Sequence, residues 1–172
     1  IKRLFLLPCY EPVHKGSLKY SSDQRLKMLS LAIEEFPNLE IDSREILRGG
    51  SSYMIDTLKE LADTYKKDTI CLIIGMDSFV NFKTWRQWDK FSDFVHMIIL
   101  PRTGFQPSNK NLGTFNVADD IDQLRSKPNG LLYFSHSELI DISSSEIRGK
   151  IASNQNLDNL LPSSVINFLQ KI

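Results

Sequence analysis

Three segments of this chain carry side chains suited to holding phosphate groups. The first runs from Ile142 to Arg148 through Ser143, Ser144, Ser145, Glu146 and Ile147. Consecutive hydroxyls ahead of a helical pattern can cap a helix and turn its first N–H groups toward an anion. Arg148, farther into that pattern, adds a fork of donors that matches phosphate oxygens. A capping box, with Ser143 at the cap and Glu146 at the third helical position, explains the same residues without a ligand. Taken alone, that is the commoner use of such a pattern. The second segment is Gly75, Met76, Asp77 and Ser78. A strand that closes on Gly and then Asp puts a carboxylate at the carboxyl edge of a sheet. There it can accept from a ribose hydroxyl or a ring N–H; service as a helix cap is the alternative. The third is the stretch from Pro8 to Gly16, with His14 and Lys15. On a loop after a strand, these two can stabilise charge developing on phosphoryl oxygens. A solvated surface pair is the plainer reading.

Trp85 and Trp88 follow the Asp77 segment. A flat ring near such an edge can stack on a heterocycle. Trp85 is a candidate for that role or for the core, and Trp88 is assigned to the core. His96 lies inside an apolar run and is expected to be a satisfied histidine. His136, on a late loop, is ambiguous. No cluster has metal-ligand spacing, and no nucleophile is paired with a base. Direct transfer without a covalent enzyme intermediate fits that pattern.

The elements that must position these groups are legible from periodicity. Residues 2–7, 39–46, 69–74, 95–100 and 131–134 read as strands. Residues 69–74 are apolar and rich in β-branched side chains, as a central parallel strand requires. Residues 21–35, 52–67, 143–152 and 162–172 read as helices. Ser22 or Asp23 is expected to cap the first, and Pro162 to occupy the first position of the last. Ile55, Leu58, Leu61 and Ala62 form the apolar stripe of the second. Residues 76–82 and 84–91 predict short helices or turns, 49–52 a turn, and 118–125 one short helix in a polar stretch. Strands alternating with helices imply an α/β fold, a doubly wound, mostly parallel, Rossmann-like sheet in a single domain over residues 1–172. Ligands of such sheets lie beyond the carboxyl ends of the strands, where the candidate segments fall.

Composition narrows the partners. The 172 residues carry 21 Lys plus Arg and 21 Asp plus Glu, a net charge of zero. No overall field draws the chain to nucleic acid or an anionic membrane. An anionic substrate must be held by local cations and backbone N–H groups. Cys9 and Cys71 are scattered and predict buried free thiols in a reducing compartment. No run reaches membrane-spanning length and no stretch has a signal-peptide pattern. A cytoplasmic protein, monomeric or homo-oligomeric, is expected.

Taken in order, these elements form a series: Pro8, Pro12, His14 and Lys15; Gln24, Arg25, Met28 and Leu29; Ser52, Tyr53, Thr57 and Leu58; Gly75, Asp77, Ser78 and Trp85; Pro101, Arg102 and Gly104; Ile142, Ser143, Ser145, Ile147 and Arg148. The series resembles bacterial nicotinate-nucleotide adenylyltransferases along essentially the whole chain. The resemblance implies a nucleotidylyltransferase fold, ATP with Mg2+ as donor, nicotinate mononucleotide as acceptor, and deamido-NAD plus pyrophosphate as products in NAD biosynthesis. It implies that Ser143, Ser145 and Arg148 hold the triphosphate, that Gly75 and Asp77 also belong to the ATP site, with Asp77 fixing a ribose or ring contact, and that His14 and Lys15 act on the phosphates. It also implies that Tyr53, Met54, Asp77, Trp85 and Arg102 contact the nicotinate nucleotide.

Two departures bear on that expectation. The family's opening strand ends in a His-x-Gly-His phosphate motif, which this sequence lacks. The segment Glu11, Pro12, Val13, His14, Lys15, Gly16 and Ser17 imitates it, but Ser17 stands where the second histidine belongs. It is therefore assigned to the family's second loop, and a strand and phosphate loop are expected to precede Ile1. The family's Thr in the late motif is Ser145, which keeps the hydroxyl, and the Thr after Tyr53 is Met54. A sister enzyme acting on nicotinamide mononucleotide or phosphopantetheine, and a non-catalytic nucleotide-binding domain, are the alternatives.

Overall fold

The computed structural model describes residues 2–13, 18–106, 111–138 and 142–172. Its contacts divide the chain into two compact units, one of residues 1–52 and 142–172 and the other of residues 53–141.

The first unit holds β1 (Leu4–Leu6), β2 (Glu11–Pro12), α1 (Ser22–Ala32), β3 (Leu39–Ile41), α2 (Arg44–Arg48), β4 (Ser51–Ser52), α5 (Ser144–Ala152) and α6 (Ser163–Leu169). β1 pairs with β3 and β2 with β4, both in parallel. α1 begins with a full capping box: the Ser21 hydroxyl accepts from Gln24 N–H, and the Gln24 side chain accepts from Ser21 N–H. The cap is therefore one residue earlier than Ser22 or Asp23, because only Ser21 has a Gln three positions on. α1 packs on α6, where the Ser164 hydroxyl donates to the Leu31 carbonyl at 3.2 Å. Pro162 is the cap of α6 rather than its first residue.

The expected strand over 39–46 ends at Ile41. The Asp42 carboxylate accepts from Arg44 N–H at 3.0 Å and pairs with Arg44 Nε at 2.7 Å. This Asx-type turn diverts the chain into α2. The expected turn over 49–52 is half strand: Gly49 and Gly50 take positive φ, and Ser51–Ser52 then pairs with β2.

The second unit holds α3 (Met54–Thr64), β5 (Cys71–Gly75), α4 (Met76–Val80), β6 (His96–Leu100), β7 (Asn116–Val117) and β8 (Leu131–Phe134). Short 3₁₀ segments cover Phe82–Thr84, Trp88–Asp93 and Ile121–Arg125. The strands form one parallel sheet in the order β5-β6-β8-β7, so β5 is an end strand of the described sheet, half-buried along its length, and not the central strand expected of residues 69–74. β6 is buried from His96 to Ile99, as a strand covered on both faces must be. Ile98 packs with Ala118, Leu124, Leu131, Cys71, Ile73 and Tyr133. On α3, Ile55, Leu58 and Leu61 are buried and form the expected stripe, while Ala62 is half-buried. Within the expected helix over 118–125, only Ile121–Arg125 is helical, as a 3₁₀ segment; β7 precedes it.

His96 is a satisfied core histidine, fully buried. Its Nδ1 accepts from Leu131 N–H at 3.0 Å, so Nε2–H donates to the Lys127 carbonyl at 2.9 Å. That pairing assigns the neutral Nε2–H tautomer. Both thiols are free but half-buried rather than buried. Burial pushes the Cys71 thiol above its ordinary pKa, which lowers its thiolate fraction at neutral pH. Cys71 is therefore expected to react with a thiol reagent at pH 7.5 more slowly than in the urea-unfolded chain, checked by mass spectrometry of alkylated peptides over time.

Candidate functional site

The register of β5 against β6 positions the central pair of the second unit. Gly75 lies opposite Leu100 at the carboxyl ends of the two strands. Asp77 and Arg102 each follow two residues later, so their side chains meet: Arg102 Nε stands 3.7 Å from Asp77 Oδ2. Both are partly exposed, at 43% and 39%, so the pair adds little to stability. Its significance is chemical. A carboxylate and a guanidinium stand side by side at the sheet edge where ligands of parallel sheets bind.

Gly75 is also the cap of α4, and no side chain caps that helix. Asp77 is therefore not the cap. Its carboxylate folds back over the strand end, and a Cβ built on Gly75 would stand 2.6 Å from Asp77 Oδ1. Gly75 has an ordinary φ of −75°, so glycine is needed there for space and not for backbone conformation. Gly75→Ala is expected to swing the Asp77 side chain away while costing less than about 1 kcal/mol of stability, since only a side-chain end must move. A thermal melt beside steady-state kinetics checks this: the melt should hold while turnover falls.

Tyr53 immediately precedes α3 in extended conformation, φ −98° and ψ 120°, and Met54 opens the helix. Both are half-buried. The Arg86 guanidinium lies over the Tyr53 ring, 4.7 Å from its centroid. Trp85 is half-buried, with edge contacts to Phe82 at 5.8 Å and Phe91 at 6.0 Å. Trp88 also packs on Phe82, at 6.3 Å. A Cβ on Gly113 would stand 2.8 Å from the Trp88 ring. Trp88 is half-buried, with Lys83 Nζ 5.4 Å from its ring centroid, so it flanks the aromatic cluster and is not in the core as expected; Trp85 has its edges against Phe82 and Phe91.

In the first unit, α5 starts as a capped helix. Ser143 is the cap and its hydroxyl accepts from Glu146 N–H at 3.1 Å. The Ser144 and Ser145 N–H groups have no acceptor within the helix, as for any first turn. Arg148 reaches back over that turn, with Nη2 donating to the Ser145 hydroxyl at 3.1 Å, the direction helical side chains favour. Ser145 and Arg148 are exposed and Ser143 half-buried. Capping and anion binding are compatible here, because the cap uses only the Glu146 N–H. His14 and Lys15 lie outside the described residues.

Arg25 is a residue that side-chain chemistry alone did not single out. Its Nη1 donates to the Cys9 carbonyl at 2.5 Å, and Nη2 to the Tyr10 carbonyl and the Ser22 hydroxyl, both at 3.1 Å. It ties the chain after β1 to the start of α1. Its place four residues past the capping Ser21 gave no hint of that contact. His136 is exposed, with its ring edge-on to Tyr133 at 6.3 Å. Among the described residues, no three His, Cys, Asp or Glu side chains gather as a metal cluster. No helix among them is long and apolar enough to cross a membrane.

Comparison with known proteins agrees with this architecture. The cytidylyltransferase-like family profile matches residues 2–150. A protein of Vesicomyosocius okutanii named probable nicotinate-nucleotide adenylyltransferase is 41% identical over 172 residues, covering 100% of this chain and 81% of that protein. A protein of the same name from Pseudoalteromonas atlantica is 36% identical, over 99% of this chain and 80% of its own length. The solved Plasmodium falciparum nicotinic acid mononucleotide adenylyltransferase, complexed with APC, superposes with a TM-score of 0.70 at 16% identity. That match covers 99% of this chain and 81% of the solved one, and it bears on the fold alone. With parallel strands carrying Asp77 and Arg102 past their carboxyl ends, and with end-to-end similarity to these relatives, the chain belongs to the nicotinate-nucleotide adenylyltransferase family of the cytidylyltransferase-like fold.

Proposed function

We propose that this protein transfers the adenylyl group of ATP to nicotinate mononucleotide, forming deamido-NAD and pyrophosphate in cytoplasmic NAD biosynthesis. The observation that carries the reading is the 41% identity, over the full 172 residues, to a relative bearing that activity in its name. The reaction needs a 5′-phosphate oxygen of the acceptor to attack the α-phosphorus of ATP in line. A new O–P bond forms as the bond to the β-phosphate oxygen breaks, and pyrophosphate leaves with that electron pair. Such transfers depend on positioning and charge neutralisation more than on covalent enzyme chemistry.

The residues divide accordingly. Ser143, Ser145 and Arg148 hold the triphosphate through the first turn of α5 and its guanidinium. His14 and Lys15 neutralise phosphate charge. Tyr53, Met54 and Trp85 frame the pyridine ring. Asp77 accepts from a ribose or ring donor, and Arg102 contributes a positive charge for the acceptor. Gly75 leaves room for the Asp77 carboxylate. Mg2+ enters bound to the triphosphate, as part of the substrate.

The test is product identity. Full-length protein incubated with MgATP and nicotinate mononucleotide should yield deamido-NAD and an equal amount of pyrophosphate, followed by mass spectrometry. Product from phosphopantetheine, with none from nicotinate mononucleotide, would assign a sister activity.

A further inference from the structure

The exposed side of α3 is fastened to the turn that carries Trp85. Tyr53, Asp56 and Lys59 recur every third residue and so share one side of the helix. Each meets the segment just after Trp85. The Arg86 guanidinium lies 4.7 Å from the Tyr53 ring centroid. Its Nη1 is 3.9 Å from Asp56 Oδ2. Lys59 Nζ donates to the Gln87 side-chain oxygen at 3.2 Å. Between these contacts Gln87 takes a left-handed conformation, φ 51° and ψ 38°, which a residue of its type adopts only when its surroundings hold it. The turn is closed by Trp88 N–H donating to the Trp85 carbonyl at 3.2 Å.

Arg86 is the centre of this clasp, yet it contributes little to the fold. Its side chain is 54% exposed and that of Asp56 is 41% exposed, so their ion pair is weak. What the contact does is geometric. A guanidinium stacked on an aromatic face restrains the ring's tilt and position. It does so for Tyr53 from the residue next to Trp85. One exposed cation therefore links the two aromatic side chains that frame the acceptor ring on the reading above.

We propose that Arg86 is a positioning residue for the acceptor: it holds Tyr53 in register with Trp85, so that the slot for the pyridine ring is preformed. The inference rests on the proposed activity toward nicotinate mononucleotide. An ordered slot lowers the cost of binding its ligand, so the effect falls on acceptor affinity and leaves the ATP side alone.

The experiment is a double-mutant cycle in the full-length protein, with kcat and KM measured separately for each substrate. Arg86→Ala is expected to raise KM for nicotinate mononucleotide by about three- to fivefold, the range expected of an exposed cation–π contact. KM for MgATP and kcat should stay within about twofold, and the thermal midpoint should match wild type. Tyr53→Leu with Arg86→Ala should give nearly the KM of Tyr53→Leu alone, because the two residues act through one contact. An unchanged acceptor KM in Arg86→Ala, an equal change in both KM values, or strictly multiplicative effects of the two substitutions would each overturn the assignment of Arg86 while leaving the activity standing. A wild-type protein that makes no deamido-NAD would overturn the activity, and the inference with it.

Discussion

Arg148→Ala in the full-length protein is expected to lower kcat for adenylyl transfer by about a hundredfold or more, on the order of 3 kcal/mol of transition-state stabilisation. Three observations give the reason. The guanidinium reaches back over the first turn of α5 and bonds the Ser145 hydroxyl at 3.1 Å. The Ser143 cap occupies only the Glu146 N–H, leaving the preceding donors of that turn for an anion. Arg148 is exposed, so removing it creates no cavity and leaves no buried group unpaired. The thermal midpoint should therefore be close to that of wild type. Lysine in the same place keeps the charge but loses the fork, and should recover only part of the rate. A loss below about tenfold for Arg148→Ala, roughly 1.4 kcal/mol, would remove the residue from the transition-state contacts.

Phe82→Ala should act in the opposite way, on stability first. Phe82 is fully buried. Its ring meets Phe91 at 5.1 Å, Trp85 at 5.8 Å and Phe79, Trp88 and Phe115 at 6.3 Å each. Truncation to alanine removes the hub of this aromatic cluster and leaves a cavity among rigid rings that cannot collapse to fill it. The expected cost is about 3–5 kcal/mol, or very roughly 6–20 °C in the thermal midpoint for a chain of this length. Two readouts distinguish cavity formation from a general weakening. The near-ultraviolet circular dichroism should change because Trp85 and Trp88 lose a shared neighbour. At temperatures where the variant is folded, acceptor KM should rise more than KM for MgATP, because Trp85 has lost its support. A cost below about 1 kcal/mol would mean that the cluster does not hold these tryptophans.

Much of the architecture was legible because local patterns and tertiary burial agree. Residues 69–74 read as a central strand; β5 (Cys71–Gly75) is a parallel strand there, but it ends the described sheet and is half-buried, and the buried inner strand is its neighbour β6, from His96 to Ile99. Ile55, Leu58 and Leu61 read as one helical stripe and are buried. Misreadings arose where a short side-chain contact decided the outcome. Periodicity ran the third strand on to residue 46, but the Asp42–Arg44 turn stops it at Ile41. The true cap of α1 needed the pairing of Ser21 with Gln24 to be read as a unit. β4 and β7 are two residues each and exist only through distant partners, which no local pattern can show.

The candidate site divides along the same line. Asp77, Trp85, Ser143, Ser145 and Arg148 belong to residue types and strand-end positions that suggest chemistry by themselves. The pairing of Asp77 with Arg102 depends on the β5–β6 register, and the stacking of Arg86 on Tyr53 depends on the approach of a turn to a helix. Neither is encoded within one segment. The space that Gly75 leaves for Asp77 was likewise invisible until the carboxylate had a direction.

Acceptor choice tests the central claim most directly. Full-length protein given MgATP with equal, subsaturating amounts of nicotinate and nicotinamide mononucleotide should make deamido-NAD over NAD by roughly tenfold or more, since donors aimed at a carboxylate reject its amide. Equal amounts of the two products, or an excess of NAD, would contradict the account.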